Sequence, residues 1–429
     1  MMANRSSRSR LLSGYLFGLF ALALLSLSTP SAGAKPSGHW ISTWTASPQA
    51  VWGKDFPFPT HIPDRLANQT VRQQARISLG GGKRLRIAFS NAYGQTPLTL
   101  GRASVALAGD QGAIDVRSLH LLTFGGKTLA AIPPGATLIS DPVDLAVPSL
   151  ASLAVSLYLP QQTPTTTFHW DARQTAWIAA GDQSLTKNID MDQPITARTL
   201  LSAILVDAPR SEGMVAVIGD SVTDGNGASM DANARWPDFL AQRLAPRGIA
   251  VINAGISGAR LLSDGMGDKA LSRFNRDVLH QDGVRSVIVL LGINDISWPG
   301  TLYAPRSPLP SRDALIGGYR QLIAKAHAGG IRIIGATLPP FEGALPGTPL
   351  DNYYRADKDA LRHEINHWIR ASHAFDAVID FDALLRDPAR PSRLNPAYDS
   401  GDHLHPGDAG NRAMAYAINL DLLLPPRHH

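Results

Sequence analysis

The sequence predicts an α/β protein in which a parallel sheet, covered on both faces by helices, follows a β-sandwich-like domain. Three observations predict it. Residues 39 to about 205 carry alternating or short apolar segments, punctuated by glycine and proline clusters, without helix-length periodicity. From Met214 onward, short all-apolar runs alternate with stretches of helical spacing. At 44% hydrophobic and 17% charged, the composition excludes a coiled coil and a mostly disordered chain. The 429 residues suffice for two domains with full cores. The chain has no cysteine, so those cores form without disulfides, and thiolate metal sites and cysteine nucleophiles are excluded.

The elements follow in chain order. Arg5, Arg8 and Arg10 precede the apolar run from Leu11 to Leu27 and the small-residue processing site Ala32-Gly33-Ala34. Residues 1–34 therefore read as a signal peptide, and the run is short for a membrane span. The expected product starts near Lys35 and is exported by a bacterium, to the periplasm or outside the cell. No later stretch reaches membrane-helix length, so no integral membrane segment is expected after cleavage. Losing the three arginines lowers the formal charge from +5 to +2, and no basic cluster remains to engage a nucleic acid.

Residues 35–205 form the expected β-rich accessory domain. Thr70 to Leu79 and Arg84 to Phe89 alternate; Ala103 to Leu107, Leu153 to Leu159 and Leu200 to Val206 are further strand candidates. Trp40, Trp44, Trp52, Trp170 and Trp177 fall here, and packing is the favoured role for such large rings over carbohydrate contact. Residues 206–429 form the expected catalytic domain. Its strands are Val215–Ile218, Ile249–Ile252, Val287–Leu291, Ile331–Ala336 and Ala377–Phe381. Its helices are Trp236–Leu244, Leu271–Leu279, Leu315–Ala328, Tyr354–Ala371 and Gly407–Leu420, with Trp236 expected in the core. A sheet of this kind binds ligands beyond the carboxyl ends of its strands. The Pro-rich loops Ser297–Ser311 and Pro339–Pro349 leave that rim and are expected pocket walls.

Four polar segments also lie at that rim or near it. Gly219-Asp220-Ser221 follows the first strand of the second half and places a hydroxyl at a strand-to-helix turn. Asn253 to Gly258 follows the next strand, and Gly292-Ile293-Asn294-Asp295 the third. The Gly258 N–H and the Asn294 amide are suitable donors to a tetrahedral oxyanion, although turn-making and capping explain such residues equally well. Asp402-His403-Leu404-His405-Pro406 precedes the last helix. Asp402 and His405, three apart around a turn, can lie side by side as an orienting acid and a base. His403 is an alternative base for which the sequence offers no comparably spaced partner, and a metal site using both histidines is a second reading of this segment. Asp220, Asp295 and Asp224 are expected to accept hydrogen bonds from the surrounding loops and to act as scaffold.

Together these segments resemble the SGNH hydrolase superfamily, also called the GDSL family of esterases and lipases, over about residues 213 to 425. The resemblance implies a flavodoxin-like three-layer α/β/α sandwich. It assigns Ser221 as nucleophile and oxyanion donor, Gly258 and Asn294 to the oxyanion hole, His405 as base and Asp402 as its acid. Val222 stands where leucine is usual, and Ile293 where glycine is often found. The segment from His39 to Trp44 resembles, less closely, the β-domain of an exported bacterial and fungal subgroup.

The resemblance implies a serine carboxylesterase acting on acetyl or other short-chain esters through an acyl-enzyme, with no metal or organic cofactor. Its substrate is expected to be a small ester or an acylated glycan. Arg260, Trp298 and Tyr303 are expected pocket residues, and Glu342 a weaker contact. An acyltransferase or lipase using the same site, and a carbohydrate-binding role for the N-terminal region, stand as alternatives. The sequence leaves the oligomeric state open.

Overall fold

β1 (Trp40–Thr45) opens the β-rich region in the computed structural model, which describes residues 39–190 and 193–424. The signal peptide expected over residues 1–34 lies outside the described residues. After β1 come β2 (Gln69–Arg76), β3 (Leu85–Ser90), β4 (Arg102–Leu107), β5 (Thr137–Ile139), β6 (Ser152–Leu159), β7 (Thr167–His169), β8 (Ala176–Ala180) and β9 (Leu201–Asp207), with shorter strands between them. One sheet runs in the order β1-β9-β3-β5. In a second sheet β8, β2, β6 and β4 lie side by side. The pairings in both are antiparallel. β7 pairs instead with the short strands Gln49–Ala50 and Arg198–Thr199.

Alternation places Val71 and Ala75 of β2, and Leu153, Val155, Leu157 and Leu159 of β6, in one core with Leu85, Ile87 and Phe89 of β3 and with Ile204 and Val206 of β9. The opposite face of β2 is also covered, because Arg72 is fully buried. Its guanidinium donates to the carbonyls of Gly112, Gln183, Thr186 and Lys187 and to Ser156 Oγ. One cation thereby satisfies carbonyls of two loops laid over the sheet.

The second half alternates as predicted. β10 (Gly213–Gly219), β11 (Ile249–Gly255), β12 (Val284–Leu290), β13 (Arg332–Ala336) and β14 (Ala377–Ile379) form a parallel sheet in the order β11-β10-β12-β13-β14. That is the strand order of a flavodoxin-like doubly wound sheet. The helices are α1 (Ser221–Asp224), α2 (Trp236–Leu244), α3 (Ala270–Phe274), α4 (Ile293–Ser297), α5 (Arg312–Ala328), α6 (Ala356–Ala371), α7 (Phe381–Leu385) and α8 (Asp408–Ala417). Right-handed crossovers put α2 and α8 on one face and α3, α5 and α6 on the other, in agreement with the pairs that touch. Trp236 is fully buried against Phe381.

Local differences from the sequence reading have local causes. The segment expected as one helix over Leu271–Leu279 is α-helical only to Phe274 and then widens into a π-turn over Asn275–Leu279. Across that junction, buried Arg273 reaches Asp277 while also donating to the carbonyls of Ala254 and Gly219. Phe381 starts α7 rather than ending β14, because the Asp380 side chain caps the Ala383 N–H.

The β-rich region and the parallel sheet belong to one compact unit. β1 lies along β11, the edge strand of the parallel sheet. Ser78 Oγ accepts the Val251 N–H at 2.9 Å, and Thr45 Oγ1 donates to the Asn253 carbonyl at 3.1 Å. Side chains of the first half thus partner backbone groups of an otherwise open edge.

Candidate active site

The parallel register aligns the ends of three strands. Gly219 of β10 pairs with Gly255 of β11 and Leu290 of β12. The chain continues from these ends into Ser221, Gly258 and Asn294, so three of the four polar segments reach one rim. Asp220 caps α1 by accepting the Val222 N–H at 3.1 Å, which makes Ser221 the first helical residue. Gly225 ends this single turn in the left-handed conformation at φ 111°. The fourth segment crosses from the start of α8. His405 Nε2 lies 2.8 Å from Ser221 Oγ, and His405 Nδ1 lies 2.6 Å from Asp402 Oδ2. Ser221 and His405 are buried, at 7% and 5% exposure, so the bond between them is shielded from bulk water, while Asp402 is partly exposed.

Asp402 Oδ1 accepts the N–H groups of Leu404 and His405 at 2.9 and 2.8 Å. Burial opposes ionisation of Asp402, yet these bonds and the His405 ring outweigh it and hold the carboxyl well below the usual range. His403 has a partner after all: its Nδ1 bonds Asp399, four residues earlier. The two histidines therefore serve separate aspartates. Among the described residues no group of three or more His, Asp and Glu side chains is placed to hold a metal ion.

The Ser221 N–H is the first of α1 and has no intrahelical acceptor. Gly258 has φ 72°, and a Cβ there would lie 2.4 Å from Met266 Sδ and 3.0 Å from Trp298. Only glycine satisfies both conditions, which keeps the backbone N–H accessible. Asn294 is held by its neighbours. Its Oδ1 accepts from Trp298 Nε1 at 2.9 Å and from the Tyr353 hydroxyl at 2.7 Å. Its Nδ2 donates one hydrogen to the Ala259 carbonyl at 3.1 Å, leaving the other for a ligand. Tyr353 is buried, which pushes its phenol well above the ordinary value and keeps it a donor. Nothing in the sequence around Tyr353 signals this bond, which spans 59 positions.

Ser221, His405, Gly258 and Asn294 open into a cavity of about 230 Å³. Trp298 and Tyr303 line it, as do Leu345, Thr348 and Pro349 of the Pro-rich loop. Arg260 does not: its guanidinium lies over the Trp298 ring at 4.8 Å and donates to the Asp264 carbonyl, bracing the wall from behind. Glu342 is likewise engaged elsewhere, with Arg393. The sequence reading missed Phe58 and favoured packing for Trp170; both close the cavity from the β-rich half. Trp298, Tyr303, Phe58 and Trp170 contact one another in succession, with ring centroids 4.8, 5.3 and 5.3 Å apart. Trp44 and Trp177, by contrast, are buried.

The remaining carboxylates act on the scaffold. Asp295 accepts from the N–H groups of Leu261 and Leu262 at 2.7 and 2.9 Å. Burial still raises it to about 6 against those donors. Asp220 is raised to about 7, first by burial, and its Oδ2 has no protein partner among the described residues. Between its ordinary value of 3.8 and about 7, folded Asp220 keeps a proton that the unfolded chain has released. Its contribution to stability is complete below pH 3.8, is lost as pH rises through about 7, and changes no further above that. Asp220→Asn preserves the acceptor for Val222 and cannot ionise. We expect its Tm to exceed that of the wild type above pH 7 and the difference to shrink towards pH 4. Calorimetry at several pH values checks this; a pH-independent difference would refute it.

Comparison with known proteins adds a family to this geometry. The sequence profile of the GDSL-like lipase/acylhydrolase family matches residues 217–413. Comparison with curated proteins gives no match. Solved structures similar to the chain include an acetyl xylan esterase from Geobacillus stearothermophilus, at 22% identity and TM-score 0.36, covering 51% of this chain and 98% of that one. The inhibitor-bound aryl esterase of M. smegmatis is 20% identical with TM-score 0.38, covering 49% of this chain and 100% of that one. A protein of the G-D-S-L family from Desulfitobacterium hafniense DCB-2 is 21% identical with TM-score 0.36, covering 48% of this chain and 97% of that one. The family match spans the strand ends that lead to Ser221, Gly258 and Asn294 and the segment before α8 that carries His405, and it identifies residues 217–413 as a GDSL-like lipase/acylhydrolase domain and the chain as a serine ester hydrolase.

Proposed function

We propose that the protein is a carboxylesterase that removes short acyl groups, acetyl foremost, from uncharged esters through an acyl-enzyme on Ser221. The observation that carries this reading is the unbroken chain Ser221 Oγ, His405, Asp402, at 2.8 and 2.6 Å, opening beside Asn294 and Gly258. His405 Nε2 takes the Ser221 proton as Oγ attacks the ester carbonyl carbon. The oxyanion is received by the N–H groups of Ser221 and Gly258 and the free Nδ2 hydrogen of Asn294. His405 returns the proton to the departing alcohol oxygen, and the acyl group stays on Ser221. Water then adds to the acyl carbon with His405 again as base, releasing the carboxylic acid and restoring the hydroxyl.

Two features support the substrate side. Among the described residues lining the cavity, Asp402 is the one acid and there is no lysine or arginine, which favours a neutral ester. Its volume of about 230 Å³ lies below the usual range of drug-sized pockets, which favours a short acyl group. An acylated glycan is the proposed alcohol side, with the aromatic side chains of Trp170 and Tyr303 in the cavity wall as its contacts. Export, by way of the N-terminal leader pattern, is part of the same proposal; a secreted form beginning near Lys35 would support it.

The test is covalent labelling. An organophosphonate should add one phosphonyl group to the active protein, mapped by mass spectrometry to Ser221; an unlabelled yet active protein would refute the acyl-enzyme. A second result concerns acyl length. Phe58 and Pro57 line both this cavity and a neighbouring groove of about 1190 Å³. Phe58→Ala should join the two and raise the octanoyl-to-acetyl ratio of kcat/KM by about 10-fold or more. An unchanged ratio across a series of aryl esters would show that Phe58 does not limit chain length.

A further inference from the structure

His169 of β7 is a buried titratable side chain that the hydrolytic mechanism does not use. Its Nδ1 faces the Ser47 carbonyl at 3.1 Å and its Nε2 faces Asp224 Oδ1 at 2.9 Å. Both partners can only accept, so both ring nitrogens carry hydrogen and the ring is an imidazolium. Burial works against that charge, but Asp224 outweighs it and pushes the ring's pKa up. Asp224 ends α1, three residues after Ser221. Its second oxygen accepts both the N–H and the hydroxyl of Ser257, each at 2.8 Å. Ser257 immediately precedes Gly258.

A chain of contacts therefore runs from the β-rich half, through His169 and Asp224, to the loop that presents the Gly258 N–H. The other ties on the part of this loop before Ser257 grip its start. Asn253 donates to the Thr223 carbonyl at 2.7 Å, Arg273 donates to the Ala254 carbonyl at 2.7 Å, and the Ile256 N–H bonds the Gly219 carbonyl. After Gly258, Ala259 is held by its N–H to the Ile256 carbonyl and by Asn294 Nδ2 on its own carbonyl; before Gly258, Asp224 is what takes hold of Ser257. We propose that His169 is a positioning residue for ester hydrolysis: through Asp224 it holds Ser257, and so Gly258, at the place where the oxyanion forms. This rests on the reading of Gly258 as an oxyanion donor. It makes the β-rich region part of the catalytic apparatus, because the clamp begins on a strand of that region and ends one residue from the reacting oxygen's partner. A neutral side chain without a donor at position 169 would leave Asp224 buried beside an empty site, free to turn from Ser257.

The full-length enzyme is tested as wild type, His169→Ala and His169→Gln. Organophosphonate labelling of Ser221 counts competent sites, so that kcat is expressed per labelled site and partial misfolding drops out. We expect His169→Ala to lower kcat per site about 10- to 100-fold with KM within about twofold, as a donor misplaced by about 1 Å would. His169→Gln, whose amide can still donate to Asp224, should recover most of that loss. Unchanged kcat per site in His169→Ala, or equal losses in both variants, would overturn the proposal and leave His169 a purely structural residue. If His169→Ala does not fold, Asp224→Ala replaces it: Ser257 then has no acceptor and His169 no link to the loop, so kcat per site should fall at near-constant KM, and an unchanged value would overturn the clamp. Failure of Ser221 to label in the wild type would instead sink the acyl-enzyme reading, which separates the two failures.

Discussion

Ser221→Ala should lower kcat on an aryl acetate by about 10⁶-fold, with KM close to that of the wild type. The size follows from what the substitution leaves behind. His405 and Asp402 remain paired at 2.6 Å, and the Gly258 and Asn294 donors stay in place, but no atom remains to attack the carbonyl. Residual turnover of about 10³- to 10⁴-fold over water is expected from those donors and from binding alone. The fold should be nearly indifferent. The hydroxyl makes one side-chain hydrogen bond, to His405, and such a bond contributes about 1 kcal/mol net. Steady-state kinetics, thermal unfolding and organophosphonate labelling on one preparation check all three expectations. Turnover within tenfold of the wild type, in a preparation free of other esterases, would remove Ser221 from the chemistry.

The parallel sheet was legible because its strands are short, all-apolar and buried on both faces, a pattern that alternating surface strands cannot imitate. Register then does the rest: Gly219, Gly255 and Leu290 are neighbours, so segments 35 to 40 residues apart in the chain arrive at one rim. The pairing of Asp402 with His405 was legible for a local reason, since three residues around a turn suffice. Distance in the chain hid the remainder. Tyr353 fixes the Asn294 amide from the segment before α6, and Phe58 and Trp170 wall the cavity from the other half of the protein. Arg72 sits in an alternating strand whose outer face would ordinarily meet water; that four carbonyls of two loops cover it depends on loop paths that periodicity does not encode. His169 and Asp224 illustrate the same limit. Asp224 reads locally as a scaffold acceptor and His169 carries no local signal, and only the docking of β7 beside α1 joins them.

Asp402→Asn should reduce kcat about 10⁴-fold while leaving substrate binding nearly unchanged. The geometry dictates how the new amide sits. Oδ1 already accepts the N–H groups of Leu404 and His405 at 2.9 and 2.8 Å, and an amide nitrogen at that position would set donor against donor. The asparagine oxygen must therefore stay there, and its NH₂ must occupy the place of Oδ2, 2.6 Å from His405 Nδ1. Facing a donor, Nδ1 becomes an acceptor, and the single proton of the neutral ring moves to Nε2. Nε2 then points its hydrogen at Ser221 Oγ and cannot take the serine proton. The variant also loses the negative charge that stabilises the imidazolium as the ester is attacked, and that charge is secure in the wild type because its hydrogen bonds hold Asp402 far below the working pH. Asp402→Ala provides the comparison: it removes the carboxylate without imposing a tautomer, so it should retain more activity than the isosteric asparagine. An NMR assignment of the His405 ring proton to Nε2 in Asp402→Asn, alongside the larger rate loss, would establish the tautomer as the cause. Equal losses in the two variants would assign the whole effect to charge.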